Sequence, residues 1–175
     1  MKILGIAPGY ARLGYGFIEA RGGKFSLMEY GTVDTASGMA MPERLKLLYS
    51  RLMELIYEFG PDVAAIEELF FNNNAKTALL VGQARGAAIL ACVNSGIGIY
   101  EYTPLQIKQG LTGYGRADKN QMQLMVKTLL GIKETPKPDD AADALAAAIC
   151  HANSANCLGR IDAALRAGGM PQRRG

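Results

Sequence analysis

The run Lys2-Ile3-Leu4-Gly5-Ile6-Ala7-Pro8-Gly9 limits what this chain can fold into more than any other stretch. It is apolar or small from Ile3 to Ala7, too short for a helix, and it breaks at Pro-Gly. That pattern predicts a buried central strand with a tight turn at its end. Position 7 lies at the mouth of the strand, where a site would open, and it holds an alanine.

The segments that follow predict what surrounds this strand. Leu13 to Ala20 and Lys24 to Thr35 carry aromatic and β-branched residues and are joined through Arg21-Gly22-Gly23, so they read as a hairpin. Together with the first strand they form an antiparallel meander. After a small-residue loop, Pro42 suits a first helical position, and Leu45, Leu48, Leu52, Leu55, Ile56 and Phe59 follow helical spacing up to Gly60-Pro61. Val63 to Glu68 is an apolar run without alternation, as expected of a parallel strand covered on both faces. Ala75 to Asn94 reads as a helix rich in small residues, and Ile97 to Tyr102 as a fifth strand. Thr103-Pro104 opens a short helix through Lys108. Asp118 with Gln121 has capping-box spacing before a helix to Leu130. Asp139 or Asp140 starts an alanine-rich helix to about Asn153. The order β-β-β-α-β-α-β-α-α-α makes an α/β protein with a mixed five-stranded sheet flanked by helices, the strand order of the ribonuclease H-like fold. Residues 1–153 are expected to form one domain, with 154–175 a flexible tail.

Composition narrows the function classes without choosing one. A chain of 175 residues with net charge +3 has its charges spread evenly, with no basic tail or block. A nucleic-acid surface would have to be assembled by folding. No apolar run approaches the roughly 20 residues of a membrane helix, which predicts a protein without a membrane partner. Cys92, Cys150 and Cys157 are an odd number without metal-ligand spacing, which favours a reducing, cytoplasmic setting.

Two acidic groups are candidates for chemistry. Glu67 and Glu68 end an otherwise apolar strand, at the carboxyl end where open α/β sheets bind ligands. They could equally begin a solvated loop. Asp140 and Asp143 are three apart on a helix and share a face. Acidic residues also favour a helix's first turn through the dipole, but Asp143 sits among Ala141, Ala142, Ala144 and Leu145 and would face a neighbour. Carboxylates from a strand end and this helix could hold a hard divalent ion, magnesium or manganese, and paired ions suit phosphodiester hydrolysis.

The separated motifs Gly5-Ile6-Ala7-Pro8-Gly9, Gly14-Tyr15-Gly16, Ala65-Ile66-Glu67, Gly82-Gln83-Ala84-Arg85-Gly86, Gln106-Ile107-Lys108-Gln109 and Asp140-Ala141-Ala142-Asp143-Ala144-Leu145-Ala146 together resemble the bacterial RuvC family. The resemblance runs in order from about residue 2 to 152. It implies a ribonuclease H-like homodimer that nicks four-way (Holliday) DNA junctions in pairs, with magnesium, alongside the RuvA and RuvB branch-migration proteins. The family's four acidic positions fall on Ala7, Glu67, Asp140 and Asp143, and the first, an aspartate in the family, is alanine here. The resemblance also places Phe70 at the junction centre and Lys108 and Lys119 near the scissile phosphate. Arg85 and Arg116 become phosphate contacts. His151, the sole histidine, reads as structural, closing the last helix.

Two other readings compete. An actin-like or sugar-kinase ATPase shares the strand order and the glycine turn, but it needs a second lobe of comparable size. A protein that shields junctions without cutting them is kept open by Ala7. An exchange introduced to stop cleavage and a natural loss have the same physical consequence: the turn that holds position 7 is kept, and its carboxylate is gone.

Overall fold

The computed structural model describes residues 1–68 and 75–167. Five strands form one sheet: β1 (Lys2–Ala7), β2 (Arg12–Arg21), β3 (Lys24–Asp34), β4 (Val63–Glu67) and β5 (Gly98–Tyr102). Five helices accompany them: α1 (Met41–Phe59), α2 (Ala75–Asn94), α3 (Pro104–Thr112), α4 (Lys119–Leu130) and α5 (Asp139–Ala167). The sheet order is β3-β2-β1-β4-β5, so β1 is central as its sequence predicts. It pairs antiparallel with β2 and parallel with β4, and β4 pairs parallel with β5.

Side chains alternate across a strand, and this splits the core in two. Leu4, Ile6, Leu13, Phe17, Ala64 and Ile66 face α1 and α2, where they meet Leu48, Leu52, Ala84 and Ala88. Ile3, Ile18 and Ala65 face the other way, against Leu145 and Ile149 of α5 with Val126 of α4. Ala7 and Glu67 keep the same parity as Ile3 and Ala65, so both lie on the α5 face.

Glycines let α5 come unusually close on that face. Gly5 pairs with Gly16 and Ala7 with Gly14 in the β1–β2 ladder. A Cβ added at Gly5 would lie 1.8 Å from the Ala144 carbonyl oxygen, and one at Gly14 would lie 2.0 Å from that of Asp140. At Gly16 it would meet the Leu145 side chain at 2.5 Å. The helix therefore rests on bare strand backbone, and its first turns are held beside the end of β1.

Local signals set the helix ends. Thr103 and Asp118 each form a full capping box, with Gln106 and Gln121, satisfying amide groups that the first turn leaves unpaired. Gly60, at φ 55°, closes α1 in a left-handed conformation that glycine adopts freely.

Three sequence expectations are corrected. The third helix does not stop at Lys108 but runs to Thr112. Gly110, inside it, is a close-approach point where a Cβ would lie 2.8 Å from Cys150 Sγ. The last helix continues past Asn153 to Ala167, because that stretch contains good helix formers and no proline. Its lack of a clear amphipathic pattern hid it. Lys76–Asn94 is also long and apolar enough, at mean hydropathy 1.3, to meet the composition test for a membrane span. Here Ala84, Ala88, Ala91 and Cys92 of that helix are buried in the core.

Candidate active site

Two elements, β4 and α5, bring acidic side chains to the carboxyl end of the central strands. Glu67 ends β4, whose Ile66 pairs with Ile6, so Ala7 and Glu67 are the next positions on adjacent strands. Asp140, the second residue of α5, lies directly over Gly14, the ladder partner of Ala7. Asp143 follows one helical turn later. Glu67 and Asp143 line one cavity, while Asp140 lies over Gly14 and lines a separate one with Arg12. Ala7 itself is 6% exposed and offers only a methyl group.

The carboxylates feel one another. Burial pushes the Glu67 carboxyl up to about 7, and Asp143 and Asp140 push in the same direction while Lys119 opposes them. Asp143 is also raised, chiefly by burial, with Lys119 again opposing and Asp140 and Asp139 adding to the shift. Like charges held in a partly dry site disfavour full ionisation. The donors are hard oxygens, the type that magnesium or manganese takes. Their number falls short, because among the described residues no three acidic, histidine or cysteine groups converge to hold a metal ion. Position 7, between them, supplies no oxygen.

A cavity of about 240 Å³ opens beside these acids, lined by Glu67, Asp143, Lys108 and Lys119 with Ile107, Met122 and other apolar groups. Both expected lysines thus reach the acidic cluster, one from α3 and one from the first residue of α4. Lys119 Nζ lies 2.9 Å from Asp139 Oδ2, and this bond holds its amine above the ordinary lysine range.

The other expected positions are placed differently. Arg85 lies on α2, on the far side of the sheet, and pairs with Glu101 at 2.5 Å. Its Nε is buried without a hydrogen-bond partner. It is not brought to the acidic cluster. Arg116 is exposed in the loop before α4. Phe70 lies outside the described residues. His151 is 5% exposed; its Nδ1 is 2.8 Å from the Tyr102 hydroxyl and its ring stacks 4.3 Å from that of Tyr100. Burial lowers its pKa. It is structural as expected, although it sits inside α5 rather than at its end, so the dipole argument for it fails.

Sequence reasoning missed two residues. Arg12 donates from Nε to Asp34 at 2.5 Å and brings its guanidinium within 4.0 Å of Asp140. Only the β2–β3 register, which pairs Arg12 with Asp34, reveals that link. Asp139 passed as a helix-start acid, and its bonds to Lys119 and Gln123 depend on where α4 lies.

With this geometry in hand, the comparisons are specific. Residues 3–151 match the family described as crossover junction endodeoxyribonuclease RuvC. A protein of that description from Alkaliphilus oremlandii is 61% identical over 156 residues, covering 89% of this chain and 95% of the relative. One from Caldanaerobacter subterraneus is 54% identical over 161 residues, covering 92% and 98%. The solved structure of Thermus thermophilus RuvC in complex with Holliday junction substrate is 39% identical, with TM-score 0.86, and the match covers 90% of this chain and 96% of that one. The yeast mitochondrial Holliday junction resolvase shares the fold at TM-score 0.68 and 15% identity, over 94% of this chain and 84% of its own. The architecture is therefore ribonuclease H-like.

Proposed function

This chain belongs to the crossover junction endodeoxyribonuclease RuvC family, and from that premise we propose that it binds four-way DNA junctions and carries a phosphodiester-cutting site disabled at Ala7. The observation that carries the reading is that Glu67 and Asp143 share one cavity with Lys108 and Lys119, with Asp140 set over Gly14 beside the end of β1. An acidic cluster with adjacent fixed cations suits a reaction at a phosphate, because the lysines can stabilise charge developing on its oxygens.

The residue at position 7 decides activity. Losing even an indirect support of a metal ligand typically costs 10–100-fold, and here a carboxylate is missing from the centre of the set. The chain as it stands folds, binds junctions in preference to duplex, and nicks them very slowly. Ala7→Asp completes an all-oxygen set suited to magnesium or manganese. That variant should nick junctions in magnesium at least roughly 100-fold faster than the parent chain. If it does not, the catalytic assignment is wrong. Equal affinity for a four-way junction and a linear duplex overturns the resolvase reading itself. Affinity should fall steeply with salt, because phosphate contacts dominate it.

A second reading, a non-cleaving junction-binding protein, is favoured by Ala7 itself. The two readings agree on binding and part on whether restoring the acid restores cutting.

The working form in this proposal is a homodimer, since paired nicks need two sites. The outward face of α2 is the candidate contact, with Leu79 66%, Leu90 52% and Val93 57% exposed around Gly86. Arg116 faces solvent where it can meet phosphates, Phe70 is assigned to the junction centre by family position alone, and Arg85 is assigned to DNA only if it leaves Glu101. Residues 1–153 form the nuclease unit. The proposal extends, on family resemblance alone, to RuvA and RuvB as partners and to a cytoplasmic setting.

A further inference from the structure

We propose that Asp139 is a positioning residue for Lys119, holding its ammonium at the edge of the acidic cluster; this rests on the nuclease reading above. Asp139 and Lys119 are the first residues of α5 and α4. One carboxylate oxygen of Asp139 takes Lys119 Nζ at 2.9 Å and the other takes Gln123 Nε2 at 2.8 Å. Gln123 lies one turn along α4 from Lys119, so both partners come from the same helix and the carboxylate is fixed from two directions.

The location gives this clasp its purpose. Lys119 lines the cavity that Glu67 and Asp143 also line, and its charge acts on both of those carboxyls. A lysine has a flexible four-carbon stem and is a point charge rather than a fork. Left alone at 55% side-chain exposure, it would sample solvent. Asp139 confines it. Asp139 is one residue from Asp140, and the 100° step of the helix turns it toward α4 while Asp140 stays over Gly14. The same helix start thus presents one acid to the central site and another to the cation beside it. The dipole at a helix start accounts for an acid in this turn, but not for its two-point attachment to a lysine and an amide on a neighbouring helix.

The test has two arms. In the Ala7→Asp protein, Asp139→Ala should lower kcat for junction nicking about tenfold with KM within about twofold, the pattern of a group acting on the transition state. Asp139→Glu should recover part of the loss. Adding Asp139→Ala to Lys119→Met should cost no more than Lys119→Met alone, because the aspartate works through the lysine. In the chain as it stands, without metal or DNA, acetic anhydride labelling read by mass spectrometry should modify Lys119 roughly three- to fivefold faster in Asp139→Ala, with Lys24 as internal standard. Additive losses, a raised KM at unchanged kcat, or unchanged Lys119 labelling would each overturn the proposal. If Ala7→Asp fails to cut at all, the nuclease reading falls and the labelling arm still decides the clasp.

Discussion

The two faces of the sheet are built on opposite principles. Toward α1 and α2, large side chains interdigitate: Leu4, Ile6, Leu13 and Phe17 fill the space under Leu48 and Leu52. Toward α5, the central strands present Gly5, Gly14 and Gly16, and the helix backbone lies directly on them. The first face gains stability from buried volume. The second gives up that volume so that Asp140 and Asp143 can sit beside the strand ends carrying Ala7 and Glu67. A helix standing at the ordinary distance of a side-chain-filled interface would carry its acids away from the sheet. Close packing here serves placement, and the opposite face supplies the apolar burial that supports it.

That contrast can be broken most sharply at the glycines. Gly5→Val places atoms where the Ala144 carbonyl oxygen already is, at 1.8 Å for the Cβ alone. Backbone on both sides leaves nothing flexible to yield, so the variant should fail to reach the native fold, read as loss of a cooperative thermal transition. A stable Gly5→Val protein with normal junction binding would refute the close-approach account.

On the other face, Leu52→Ala should destabilise by about 3 kcal/mol in urea melts, the usual cost of emptying a fully buried leucine site. The surviving folded protein should bind junctions as the parent does, because the leucine touches the face remote from the acids. A loss of binding beyond the loss of folded protein would mean that the two faces are coupled.

The smallest expected effect sharpens the electrostatic side of the comparison. Glu67 has a folded pKa of about 7 against an ordinary value of 4.5. Between those values the folded state holds more protons than the unfolded one, so this group's contribution to stability falls as pH rises through the window. Glu67→Gln should therefore stabilise the metal-free fold at pH 8 by on the order of 2 kcal/mol, with the gain vanishing near pH 4. A constant gain across that range would mean that burial of the charge is not what destabilises the parent.

Much of the fold was legible in sequence because its signals are local. Short apolar runs and turn signals placed all five strands, the Asp118–Gln121 capping box and the glycine at position 60 marked helix ends, and the order of elements gave the mixed sheet. The failures share one cause. Gly110 sits in the third helix because Cys150 lies against it across the packing with α5, and residues 154–167 show no amphipathic stripe to mark them as helical. Motif resemblance, rather than periodicity, singled out position 7 and the two lysines, whereas Arg12 and Asp139 carry no local signature at all.

The sequence by itself determined the order of the elements and the central place of β1, since each depends on residues close together in the chain or on a pattern along it. Tertiary structure alone decided which carboxylates meet at Ala7, that Arg85 is turned away to Glu101, and that Asp139 reaches Lys119 across two helix starts. Those facts depend on how closely α5 can approach the sheet, and that distance is set by three glycines on two strands acting on a helix more than 120 residues away in sequence.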